Sequence, residues 1–152
     1  MPILKKLKVV VKTGSKVCSG TDAPIYLVLV LPGSGKIYRL PTRREDLEVG
    51  EMDIYDLALQ DGPNVQDLLG LVLVNGMTGP SPAWRLLWIK IQACDETGHS
   101  WGLVDAMVER WLDSREDLSP ALVLPLQRPF LDLGVQDVVG TATVAVRSVG
   151  ES

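Results

Sequence analysis

The sequence predicts an all-β fold, an antiparallel β-sandwich. Three observations predict it. Short apolar stretches alternate with turn-forming residues roughly every ten positions along most of the chain. No glycine-rich strand-to-helix unit is present and helices do not alternate with strands, which argues against a parallel α/β sheet. Aromatic residues are only 5% of the chain, so its core must be built from Val, Leu and Ile.

Leu4 to Lys12 opens the pattern, with Leu7, Val9 and Val11 alternating against lysines. Those lysines mark a wet face, or an edge where charge blocks unwanted pairing. Thr13 to Gly20 is a loop, and Ala23 to Leu31 is a strand apolar on both faces, hence central. Pro32-Gly33-Ser34-Gly35 is turn chemistry, and Lys36 to Leu40 returns to close a hairpin. A polar segment, Pro41 to Gly50, carries both signs of charge. Met52 to Leu59 and Leu68 to Val74 read as two more strands, separated by the Asp61-Gly62-Pro63-Asn64 loop.

The chain is organised around Pro80 to Gln92, a proline-punctuated lead into a long apolar strand with two tryptophans. Strict alternation puts Trp84, Leu86, Trp88 and Lys90 on one face, and Arg85, Leu87, Ile89 and Ile91 on the other. Trp84 is expected to anchor the core. Cys94 to Ser100 is a polar loop. One segment dissents: Val104, Met107, Val108, Trp111 and Leu112 follow helical spacing, which predicts a short helix over about 103–113. Pro120 to Leu126 is a short strand, and Pro125 places it at an edge. Thr141 to Val149 alternates again and is expected to be an extra C-terminal strand.

With 152 residues and 46% hydrophobic content, the chain suits one globular domain that needs no metal or disulfide to fold. A net charge of −4 argues against a nucleic-acid partner. Cys18 and Cys94 are compatible with free thiols or with one bridge. Neither a signal peptide nor a membrane-span run is evident, so a cytoplasmic chain, at most peripheral to a membrane, is expected.

Catalytic chemistry is missing from the pattern. The single histidine, His99, lies between Gly98 and Ser100 and reads as a solvated loop residue. Gly33-Ser34-Gly35-Lys36 fails as a phosphate loop: Val30 stands where the first glycine belongs, and Ile37 where Ser or Thr is required. Cys18, Cys94 and His99 have no zinc-ligand spacing.

Several pieces then line up: Lys12-Thr13-Gly14, Gly20-Thr21-Asp22-Ala23, Leu69-Gly70, Pro82-Ala83-Trp84 with Ile89-Lys90-Ile91, and Trp111-Leu112. Together they resemble the PLAT (LH2) domain family, over about residues 4–126. The resemblance implies two four-stranded antiparallel sheets over residues 1–127, with 128–152 as a C-terminal extension. It also implies a non-enzymatic domain that docks onto a partner protein or a lipid surface.

In several members of that family docking needs Ca²⁺. Carried over by position, the implied Ca²⁺ candidates are Gly20, Thr21 and Asp22, then Asp61 and Asn64, then Asp95 and Glu96. The implied membrane-contact residues are Val17, Cys18, Met77 and Trp88. A basic patch of the first-strand lysines with Arg39, Arg43 and Arg44 would favour anionic lipid. Other roles compatible with the sequence are a Ca²⁺-dependent membrane sensor, an assembly subunit forming a homo-oligomer through the C-terminal strand, and an accessory domain for a separately encoded lipid enzyme.

Overall fold

Nine strands in two antiparallel sheets make up the computed structural model, which describes residues 2–43, 45–79, 82–115 and 118–135. They are β1 (Leu4–Thr13), β2 (Ile25–Leu31), β3 (Ser34–Arg39), β4 (Met52–Ala58), β5 (Gly70–Asn75), β6 (Trp84–Asp95), β7 (His99–Leu112), β8 (Ala121–Leu124) and β9 (Leu131–Val135). One sheet runs β4-β1-β6-β7-β9, the other β3-β2-β5-β8. The only helical element among the described residues is a single 3-10 turn, Val65–Asp67. The sandwich is therefore as predicted in class, but with five and four strands instead of four and four.

The core lies between the sheets. Leu7, Val9 and Val11 of β1, Ile89 and Ile91 of β6, and Leu57 of β4 meet Ile25, Leu27 and Leu29 of β2 and Leu71 and Leu73 of β5. Burying each such side chain contributes about 1.5–3 kcal/mol before entropy is subtracted. Arg128 links the layers beyond β8: its Nη2 donates to the carbonyls of Leu68 (2.7 Å) and Leu69 (3.1 Å).

Two strands depart from the alternation expected of them. Along β1 the partner of Thr13 is Leu86 and that of Lys12 is Trp88, which leaves Leu87 as an extra residue. This bulge turns β6 over by one residue. Trp84 and Leu86 before it, and Ile89 and Ile91 after it, therefore all point into the core. Trp88 moves to the outer face beside Lys90 and is only half-buried. The expected grouping of Trp84 with Trp88 and Lys90 is thereby corrected, because strict period-two counting cannot see an inserted residue.

The second departure concerns 103–113, which is strand β7 and not a helix. Val104, Ala106 and Val108 line its inner side at strand spacing, and Met107 lies outside. Next comes an irregularity opposite the β6 bulge, with Glu109 at φ 50°, after which Leu112 is buried. Inner and outer apolar residues on either side of that bulge happen to fall at helical spacing. Strand β6 pairs with this segment as far as Leu112, while β9 pairs only with residues 99–102 at the start of β7.

Strand β8 sits at a sheet edge, as Pro125 suggested. Strand β1 does not: it lies between β4 and β6, so its lysines cannot be there to blunt an edge. Strand β9, within the stretch the sequence left as a connection, pairs with β7. The strand expected over Thr141 to Val149 lies outside the described residues. On the outer face of the four-stranded sheet, register aligns Ile37, Val28, Val72 and Val123 in one row across all four strands. The row's outer members are largely exposed, Ile37 at 69% and Val123 at 74%.

Candidate functional site

Four long connections gather at one end of the sandwich: 14–24, 40–51, 76–83 and 113–120. They are held by a buried polar platform. Thr21 Oγ1 donates to the Pro82 carbonyl (2.7 Å) and accepts from the Ala23 amide. Asn75 Nδ2 donates to the carbonyls of Pro82 (2.6 Å) and Leu112 (3.0 Å), while its Oδ1 accepts from the Met77 amide. The Thr21 amide donates to the Leu47 carbonyl, which ties the first connection to the second. Gly20 is required there. A Cβ on it would stand 2.8 Å from the same Leu47 oxygen.

The second connection carries three carboxylates. Asp46, Glu51 and Asp53 each bring an oxygen within 4.8 Å of the others. Asp46 accepts from the Arg43 amide and the Tyr55 hydroxyl (2.9 Å), and Asp53 accepts from the Leu47 amide. Glu51 Oε1 is buried and has no hydrogen-bond partner among the described residues. Burial, with the charges of Glu51 and Asp46, pushes the Asp53 carboxyl up to about 6, against the opposing pull of the Leu47 amide. Burial, then the bond to Asp46, raises the Tyr55 phenol. A cleft lined by Pro41, Arg43, Asp46, Asp53 and Tyr55 opens this cluster to solvent.

An all-oxygen set of carboxylates that repel one another, one of them with an orphaned oxygen, suits a hard divalent cation such as Ca²⁺. Beside it, Val17 is 86% exposed at the tip of the first connection, and Val49 projects from the second.

No protein-family model and no curated protein matches the sequence. Solved structures do. The alpha toxin of Clostridium absonum aligns over 82% of this chain at 17% identity, with a TM-score of 0.65. Coral 8R-lipoxygenase, described as calcium-activated through a C2-like domain, aligns over 90% at 22% identity and 0.58. A calcium-dependent 11R-lipoxygenase aligns over 80% at 26% identity and 0.53. The fold is PLAT/LH2-like. This chain spans 32%, 19% and 17% of those three chains, less than a third of each.

The PLAT/LH2-like frame separates the Ca²⁺ candidates read from sequence. Gly20, Thr21 and Asp22 lie at the loop end, the first two against the Leu47 carbonyl and Asp22 exposed with its carboxylate against Gly79. Asp61, Asn64, Asp95 and Glu96 lie at the opposite end, where Leu4 pairs with Asp95 and Ile3 bridges Asn64. A ten-residue strand, about 30 Å long, separates the two groups, so they do not form one site.

At that far end the carboxylates serve the turn. Asp95 accepts from the Thr97 amide and hydroxyl, the His99 amide and Trp101 Nε1. Burial alone would raise its pKa, but these bonds together outweigh it and hold the carboxyl below its usual range. Glu96 accepts from the Ile3 amide, and the Asp61 carbonyl accepts from Lys36 Nζ.

Of the membrane-contact candidates, Val17 and Cys18 are exposed in the first connection and Met77 lies in the third. Trp88 is on the outer sheet face, its Nε1 donating to Asp105 (3.0 Å). Cys18 and Cys94 are both free thiols at opposite ends, which settles their pairing. His99 is not a loop residue. It begins β7, with Nε2 2.5 Å from Asp132 of β9 and its ring 4.4 Å from that of Trp101. Asp46, Glu51 and Asp53 were missed by sequence reading. Glu51 and Asp53, two apart at the start of β4, share a face, and that spacing was the available signal.

Proposed function

We propose that this chain is a non-enzymatic docking domain that attaches to a lipid surface, with Ca²⁺ held at its loop end by Asp46, Glu51 and Asp53. The observation that carries the reading is the position of that acidic cluster. It stands beside the exposed Val17 and Val49, at the end of a PLAT/LH2-like sandwich where the long connections converge. Coral 8R-lipoxygenase and the 11R-lipoxygenase, which share the fold, are described as calcium-regulated, the first through its C2-like domain. A bound cation would neutralise the cluster and give Glu51 Oε1 a partner, so that valine tips could enter a headgroup layer that unneutralised carboxylates would avoid. Calorimetry with Ca²⁺ tests the metal. Heat of binding lost in Asp53→Asn supports it, and a flat titration of the wild type removes Ca²⁺ from the reading.

A second reading, docking of a protein partner, is favoured by the aliphatic row Ile37–Val28–Val72–Val123. Sheet faces of that composition are normally covered. Light scattering of wild type and Val123→Glu separates a second copy from other occupants: a dimer that becomes a monomer identifies the partner as this chain itself.

A further inference from the structure

Four of the seven lysines in this acidic chain stand on one surface. Lys6, Lys8 and Lys12 project from β1, and Lys90 from β6, onto the outer face of the five-stranded sheet. β1 is an interior strand of that sheet, so these charges cannot be explained as protection of an edge.

The acidic residues on the face are fewer. Asp56 is opposite Lys8 and 4.0 Å from Lys6, and Asp105 is opposite Lys90 but already accepts from Trp88. Lys12 Nζ donates to the Gly50 carbonyl. Lys8 and Lys90 form no ion pair among the described residues. Glu109 and Arg110, at the bulge of β7, carry opposite charges. The face is thus cationic on a chain whose net charge is −4.

Apolar side chains are interleaved with the lysines. Register places Met52, Lys12, Trp88 and Met107 in one row, and Ile54, Val10, Lys90 and Asp105 in the next. Met52 is 55% exposed, Ile54 58% and Met107 62%. The row of Met52 and Met107 is the one nearest the loop end.

We infer that this face docks onto an anionic bilayer surface without Ca²⁺, the lysines meeting headgroup charge while Met52, Ile54, Trp88 and Met107 enter the interface. The inference rests on the lipid-docking reading and adds a surface and a headgroup charge to it. A soluble polyanion would satisfy the lysines but leave the methionines and Ile54 in water, and nucleic acid would do the same. An acidic helix would need a groove, and lysines spread over a strand face do not frame one. Each lysine near an anionic leaflet contributes about 1 kcal/mol, and salt screens it.

The test is co-sedimentation of the full chain, in EDTA, with vesicles of phosphatidylcholine alone or mixed with phosphatidylserine. The expected result is binding to the mixed vesicles only, weakened by added salt. Lys8→Glu with Lys90→Glu should lower it at least about tenfold, while Lys8→Arg with Lys90→Arg keeps it. Unchanged thermal unfolding shows that these variants fold. Equal binding by the glutamate variant, or by neutral vesicles, overturns the inference. Binding that needs Ca²⁺ and ignores Lys8 and Lys90 also overturns it but leaves the loop-end reading in place. Absence of wild-type binding with or without Ca²⁺ overturns both.

Discussion

Trp84 Nε1 donates to Thr13 Oγ1 at 2.9 Å, with both residues fully buried. The bond joins the start of β6 to the end of β1, where the β6 bulge follows and the long connections begin. Trp84→Ala should cost about 3–5 kcal/mol, the range for losing a large aromatic from a packed core. Trp84→Phe should cost about 1–3 kcal/mol, because Thr13 Oγ1 is left without its donor. Urea denaturation measures both. A loss under about 1 kcal/mol for the alanine variant contradicts the placement of Trp84 at the centre of the core.

Asn75 ties both ends of the 76–83 connection to the end of β7, through Met77, Pro82 and Leu112. Asn75→Ala takes a donor from the buried Leu112 carbonyl and the acceptor from the Met77 amide, while the Pro82 carbonyl keeps Thr21 Oγ1, at a cost of about 1–3 kcal/mol. Hydrogen exchange should accelerate first at Met77 and in the neighbouring loops. Uniform acceleration over the whole sandwich would show that Asn75 supports the core and not the platform.

Asp95 gives a pH dependence whose sign is fixed. Its folded pKa lies below the unfolded value of about 3.9. Its contribution is therefore fully present above pH ~4 and is lost as pH falls through the lower folded value. Asp95→Asn should be less stable at neutral pH, and the gap to wild type should close in acid. Unfolding midpoints followed from neutral to acid pH test this, and a constant gap contradicts it.

Much of the fold was legible in the sequence because its signals are local. Pro32-Gly33 marks the β2–β3 hairpin, and alternation in Leu4 to Lys12 marks β1 with its wet side. What failed was non-local. The bulge at Leu87 exists only in register with β1, so Trp88 was put on the wrong face. The irregularity at Glu109 made β7 look helical. The acidic cluster needs the chain to fold back from Asp46 to Asp53, and no spacing rule for loops announces that. The two groups of loop acids looked equivalent in sequence because nothing in it says which end of a strand a turn occupies.

Ca²⁺ should raise the unfolding temperature of the wild type by mass action, since the unfolded chain scatters Asp46, Glu51 and Asp53. Glu51→Gln and Asp53→Asn should each reduce the shift. Asp53→Asn should also stabilise the Ca²⁺-free protein, because one repelling charge is gone. A Ca²⁺ shift as large in both variants as in the wild type would place the ion elsewhere.

Flotation of the full chain with vesicles containing phosphatidylserine, in Ca²⁺ and in EDTA, tests the lipid-docking reading most directly. The expected result is protein in the floating fraction, with more of it in Ca²⁺ than in EDTA and less when Asp53→Asn replaces the wild type in Ca²⁺. Protein that stays at the bottom of the gradient under both conditions contradicts the account.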